Sequence, residues 1–313
     1  VSVMTYPSLS EKHLETVCTA GFCEDGTWIR IFPVPYRVYL HKNEELRYHK
    51  WQWIEVDVEK SSKDDRPESY RIRDIDTLKI DTDILGKRRK GADWDLRLKW
   101  VLKNKKLFTN MTELLDMTKQ NKISLAVLKP TCVNRVIAYD LRKKEKGKSM
   151  EKYADKLSRL KARYYADMQQ KNLFENAQDI KRTFQFAEKI PYKFKYEFVT
   201  EDGIARKLMI EDWEIGALYR KCIQMYKNEE IAVQKVIQKY EDLAKKDIYL
   251  FLGTSYEWHK IPGMYPVLLL SFLSLKLTFF YQPAYLTQQI SVRLNFHSSN
   301  SFRYLVAQIL QRH

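Results

Sequence analysis

Thr16-Val17-Cys18-Thr19-Ala20-Gly21-Phe22-Cys23, then Glu24-Asp25-Gly26, then Thr27-Trp28-Ile29-Arg30-Ile31-Phe32 read as strand, turn and strand. The Asp-Gly pair supplies the positive φ that a tight hairpin turn requires. Further along, Trp53-Ile54-Glu55-Val56-Asp57-Val58-Glu59 alternates strictly, with Ile54, Val56 and Val58 on one face and three carboxylates on the other. That pattern predicts a half-exposed strand. Residues 123–128 are apolar on both faces and residues 133–139 follow after Pro130, so both are expected near a sheet centre. Helical periodicity intervenes over residues 92–104 and 111–120.

From Ser149 the period becomes helical. Tyr153, Leu157, Leu160, Tyr164 and Met168 recur at four- and three-residue steps, the mark of a long amphipathic helix. A second hairpin is expected from Tyr192 to Phe198 through Glu201-Asp202-Gly203 to Arg206 and Ile210. Helices follow over residues 214–226 and 229–245, the latter with Asn228 as N-cap. A buried strand is expected over residues 248–254.

The 313 residues are 44% hydrophobic and 30% charged, enough for one large or two small cores, which excludes a disordered chain. Nine Gly, nine Pro and four Cys exclude collagen-like, low-complexity and disulfide-framework readings. No basic segment followed by a long apolar run opens the sequence, so a cytoplasmic protein is expected. Residues 261–275 lack charge but hold two Pro and one Gly, which argues against a membrane span. The cysteines form no C-x-x-C and the histidines fall at no shared helical face, so no metal site is expected. Walker, Gly-x-Ser-x-Gly and Gly-x-Gly-x-x-Gly motifs are absent from the sequence, which disfavours nucleotide hydrolysis and acyl transfer. No cofactor and no small-molecule substrate is implied.

The net charge of +15 favours a polyanionic partner, with nucleic acid, DNA or RNA, as the expectation. Residues 85–106 hold nine Lys/Arg against two acids and residues 141–190 fourteen against seven, so these segments supply +14 of the +15. Lys152, Lys156, Arg159 and Arg163 lie at helical steps that form one stripe able to follow a phosphate backbone. Lys87-Arg88-Arg89-Lys90, between Gly86 and Gly91, forms a basic loop that could grip phosphates or be plain surface. Trp28, Arg30 and Phe32 share a strand face and could stack bases, or else be core with Arg30 paired to a carboxylate. For the row Tyr192, Phe194, Tyr196 and Phe198, core packing is the better reading. Glu55, Asp57 and Glu59 with Lys60 could form the acidic cluster of a metal-dependent nuclease, an alternative function. A further alternative is a protein-interaction module whose basic surface only keeps it soluble.

After Glu257 not one Asp or Glu occurs in 56 residues. A membrane-facing segment, an apolar subdomain and a stretch read in a foreign frame compete, and the last explains the missing acids most simply.

The segments Glu15 to Gly21 and Trp28-Ile29-Arg30-Ile31-Phe32-Pro33-Val34 together resemble a family of uncharacterised prokaryotic proteins, some described as dual-OB-containing. Arg66-Pro67-Glu68-Ser69-Tyr70-Arg71, Ile210-Glu211-Asp212-Trp213-Glu214-Ile215-Gly216 and Phe251-Leu252-Gly253-Thr254 are similar to parts of the same family. The resemblance implies nucleic-acid binding by a β-barrel and assigns no catalytic residue. The expected fold is therefore α+β, with an OB-like β-rich domain at 1–140, a basic helical arm at 141–190, a hairpin-and-helix module at 191–258 and the acid-free tail at 259–313.

Overall fold

The computed structural model describes residues 1–36, 48–143, 148–171, 186–187, 189–255 and 267–274. Its first six strands are β1 (Val3–Met4), β2 (Ser8–Ser10), β3 (Leu14–Phe22), β4 (Trp28–Pro35), β5 (Gln52–Lys60) and β6 (Ser69–Ile84). They form one sheet in the order β1-β3-β4-β6-β5, with β2 also pairing β3. The hairpin β3–β4 is the one expected. Gly26 takes φ +92°, the Cys23 amide donates to the Thr27 carbonyl at 2.8 Å, and Asp25 accepts from the Thr27 amide at 2.8 Å.

The fold is α+β, but this sheet does not close into the OB-like barrel expected of the first 140 residues. Its order is an open path with β1 and β5 at the ends. β4 meets β6 in parallel over only Arg30↔Ser69 and Ile31↔Tyr70, after which β6 runs on with β5 alone. β6 itself was not foreseen. Its charged residues interrupt the alternation, and the β5–β6 register shifts three times, so no single period of two runs through it.

Two capped helices follow: α1 (Trp94–Leu102), whose N-cap Asp93 accepts from the Leu96 amide, and α2 (Met111–Lys119), whose N-cap Asn110 accepts from Thr112 and Glu113. Around them lie β7 (Leu107–Phe108), β8 (Leu125–Leu128), β9 (Cys132–Asp140) and the long α3 (Lys148–Lys171). Next come β10 (Tyr192–Val199), β11 (Ala205–Met209), α4 (Trp213–Tyr226), α5 (Glu229–Ala244), β12 (Ile248–Thr254) and β13 (Val267–Ser274). As expected, Asn228 caps α5 by accepting from the Ile231 amide at 3.0 Å. No helix among the described residues is long and apolar enough to cross a membrane.

β10 lies between β11 and β9 in a three-stranded sheet, and β13-β12-β8-β7 form a four-stranded one. β8 is central, but β9, also expected near a sheet centre, is an edge strand, and of its residues only Val136 is fully buried. The pairing of β9 with β10 runs across the boundary expected near residue 140. β13, from beyond residue 258, pairs antiparallel with β12 along its whole length. Residues 259–266 and 275–313 of the acid-free tail lie outside the described residues, as do 172–185 of the basic arm.

The four-stranded sheet is the shared layer, which is why β8 and β12 are apolar on both faces. Leu125, Val127 and Phe251 pack with Ala20, Phe22, Trp51 and Val101 of the first part. Ala126, Leu128, Leu250 and Leu252 pack on the other side with Phe194, Tyr196, Phe198 and the faces of α4 and α5. The row Phe194, Tyr196 and Phe198 is thus core, each residue almost fully enclosed.

A buried polar joint ties these layers. Arg30, 1% exposed, donates to Ser69 Oγ (3.1 Å), Ser124 Oγ (2.7 Å) and the Ser124 carbonyl (2.8 Å). Glu68 accepts from the Ser124 amide and hydroxyl, the latter at 2.6 Å. Arg66 pairs with Asp64 through two nitrogens, at 2.8 and 2.6 Å, and donates to the Thr254 carbonyl. Every one of these contacts satisfies a group that burial would otherwise strand.

Candidate nucleic-acid interface

Five of the seven tryptophans fall between residues 28 and 100, and the fold gathers them. Phe22, at the end of β3, is the buried centre. Trp100 of α1 stacks on it at 6.2 Å and 13°, while Trp28 (6.5 Å) and Trp53 (5.9 Å) meet it edge-on. Trp53 and Trp100 are 5.2 Å apart, and Trp28 leans on Phe251 at 6.0 Å. Trp51, fully buried, links Phe22 to Trp94. Trp28, Trp53, Trp94 and Trp100 are each only half-buried.

Cations are built onto the same face. Lys103 lies 4.6 Å from the Trp100 ring, and Lys105 lies 5.1 Å from both Phe22 and Trp28. The β3–β4 turn fixes them. A Cβ on Gly26 would lie 2.3 Å from the Lys103 carbonyl, so only glycine admits this approach. Lys103 Nζ donates to the Glu24 carbonyl at 2.6 Å and Asn104 to the Asp25 carbonyl at 2.7 Å. Burial pushes the Lys105 ammonium down to about 8, with Lys103 adding to the push and Cys23 and Asp25 opposing it. At neutral pH it is still charged.

Of the residues singled out by sequence, Trp28 belongs to this face and Phe32 is half-buried further along β4. Arg30 does not belong to it. Its guanidinium is turned into the polar joint, where burial and then Arg66 push it down to about 10, against Cys18, Glu68 and Asp64. The Trp-Arg-Phe platform is therefore corrected: strand alternation puts the three on one face, but at Arg30 that face is closed by Ser69 and by Ser124, just ahead of β8. Lys87, Arg88, Arg89 and Lys90 are all exposed, on a turn whose Arg88 pairs with Asp93.

The helix stripe is divided. Lys152 and Arg159 are exposed, but Lys156 Nζ donates to the Leu9 carbonyl at 2.9 Å, and Arg163 donates to the Glu11 carbonyl and lies 3.6 Å from its carboxylate. Half the stripe thus fastens α3 to β2 and the turn after it. The acidic face is likewise spoken for. Glu55 pairs with Lys79 (3.2 Å), Asp57 with Arg73 (3.3 Å) and Glu59 with Arg71 (2.9 Å), a ladder across β5 and β6. Lys60 donates to the Pro67 carbonyl and lies 4.2 Å from the Tyr70 ring. No group of three metal-ligating side chains occurs among the described residues.

Sequence reading did not single out Trp53, Trp94, Trp100, Lys103 or Lys105. The signal available was the crowding of tryptophan into the stretch that also carries the nine basic residues.

Two sequence families match the chain, a domain of unknown function (DUF8758) over residues 1–103 and a domain of unknown function (DUF8757) over residues 107–268. No curated protein and no solved structure matches.

Proposed function

The chain belongs to the DUF8757 family, whose domain spans residues 107–268; from the aromatic face ahead of that domain we propose that the protein binds single-stranded nucleic acid without catalysing its cleavage. One observation carries the reading: three half-buried indoles, Trp28, Trp53 and Trp100, surround Phe22, with Lys103 and Lys105 seated against the same cluster. Unpaired bases stack on such rings at about 1 to 3 kcal/mol each, and lysines beside them take the intervening phosphates. The exposed loop Lys87 to Lys90 lengthens the basic path. The reading needs an open aromatic surface, not a closed barrel.

The experiment is a fluorescence-anisotropy titration of labelled single- and double-stranded oligonucleotides over a range of salt. Tighter binding of the single strand, with affinity falling linearly in log salt, supports the reading. Equal binding of both forms, or none, overturns it. The nuclease alternative finds no support in a ladder whose carboxylates each meet a cation.

A further inference from the structure

Arg97 is the most enclosed charge beside the aromatic face. It sits on α1 with no exposed surface, its Nε donates to the Leu85 carbonyl at 3.0 Å, and its Nη1 and Nη2 make no hydrogen bond. Its guanidinium lies 5.0 Å from the Trp51 ring and 4.7 Å from the Trp94 ring. The two π-faces compensate the charge, but they cannot accept the remaining N–H groups in ordinary hydrogen bonds. Asp93, the acid acting on Arg97 electrostatically, already accepts from the Leu96 amide and pairs with Arg88. A buried guanidinium with both terminal nitrogens idle is costly, and such forks match two oxygens of one anion.

Besides the two indoles, the foot of the basic loop packs against Arg97. A Cβ on Gly86 would lie 3.4 Å from Arg97 Nε, so the foot of the loop rests on the guanidinium. The loop closes through the Asp93 amide to the Gly86 carbonyl (2.7 Å) and the Lys87 amide to the Ile84 carbonyl (2.9 Å). Gly86 and Gly91 both take positive φ, at +65° and +77°, and a side chain at Gly91 would meet nothing within 4 Å. Three backbone bonds, the third from the Arg88 amide to the Gly91 carbonyl (3.4 Å), and the Arg88–Asp93 ion pair thus hold the loop that carries four exposed cations.

We propose that Arg97 is a phosphate-receiving site, covered by the loop of residues 86–93 and uncovered when that loop turns on its glycines to bring Lys87 to Lys90 against the same anion. Phosphate is favoured over carboxylate because the loop adds four positive charges around a two-pronged donor. The proposal rests on the single-strand reading only for the source of the phosphate, which is either the backbone of a bound strand or free phosphate.

The test compares the full chain with Arg97→Met, an apolar side chain of similar length. Thermal melting is run in sodium phosphate and in sodium chloride at matched ionic strength. Phosphate raises Tm of most proteins by exclusion, so the difference between the two proteins is what counts. The expected result is an extra rise of about 3 °C or more for the wild type at saturating phosphate, absent in the variant. Amide exchange of the wild type, followed over residues 84–98 with and without phosphate, gives a second readout that needs no variant. Slower exchange on α1 with altered exchange in the loop is expected.

An equal rise in both proteins, or unchanged exchange in the wild type, overturns the proposal, and if Arg97→Met fails to fold the exchange result alone decides. An oligonucleotide titration then assigns the source. A salt slope lower by about one in Arg97→Met points to a strand phosphate, and an unchanged slope to free phosphate. A wild type that binds no oligonucleotide defeats the single-strand reading and leaves the phosphate arms to decide this one.

Discussion

Replacing Arg30 by Ala tests whether the buried joint, rather than a surface platform, is where this side chain works. The change removes three hydrogen bonds from one charged group, to Ser69 Oγ and to both oxygens of Ser124. It also takes away the cation facing Glu68, although the adjacent Arg66 is relieved of a like charge. Hydrogen bonds to charged groups contribute about 1.5 to 3 kcal/mol each and do not add. Breaking a buried charged network by removing one partner costs about 3 to 5 kcal/mol, and the relief of Arg66 places the expectation near the lower end. Urea unfolding and thermal melting should show that loss, a drop in Tm of about 5 to 10 °C. Oligonucleotide affinity, measured where the variant is folded, should stay within about twofold. Arg30→Met should recover part of the loss, because an apolar chain of similar length refills the space. A destabilisation below about 1 kcal/mol, or a loss of affinity at unchanged stability, would falsify the placement of Arg30 in a structural joint.

Binding should weaken as pH rises from about 7 to about 9, because Lys105, pushed down by burial to about 8, must take up a proton to hold a phosphate above that pH. Lys105→Arg should make affinity flat over that range, and a wild type whose affinity is already flat would remove Lys105 from the contact. Asp202 is half-buried, and that desolvation alone would raise it, but bonds from Thr112, Thr200, the Ile204 amide and Arg206 hold it well below the usual carboxylate range. A carboxylate depressed on folding stabilises above its unfolded pKa of about 4, and that stabilisation is lost as pH falls through the folded value. The melting advantage of wild type over Asp202→Asn should therefore be full near neutrality and shrink on acidification; an advantage that grows in acid would contradict the sign. Lys156→Ala with Arg163→Ala should loosen α3, costing about 1 to 3 kcal/mol as read by urea unfolding, with the salt slope of oligonucleotide binding unchanged. A lower slope would return both residues to the interface.

What could be read from the sequence was whatever local chemistry decides. The Asp25-Gly26 turn, the Asn228 cap and the alternation of Ile54, Val56 and Val58 each depend on residues within a few positions, and all are found where expected. Alternation leaves Arg30 open between platform and core because it gives a face but not what covers it, and its cover, Ser124, is 94 residues away. The carboxylates of β5 looked free for a metal because their partners sit on β6, whose irregular register hides it from a period-two reading. Charge composition marked residues 85–106 correctly as basic. That Trp53, Trp94 and Trp100 share a face with that charge follows only from the packing of α1 against β3 and β5.

The most direct measurement of the central claim is ultraviolet crosslinking of the full chain to an oligonucleotide carrying 5-bromouracil, with the attached peptides mapped by mass spectrometry. Bases stacked on the half-buried rings should crosslink at Trp28, Trp53, Trp94 or Trp100, and excess unlabelled single strand should suppress those adducts. Adducts confined to the α3 segment or to peptides after residue 107, with none on the tryptophans, would show that the aromatic face does not hold the strand.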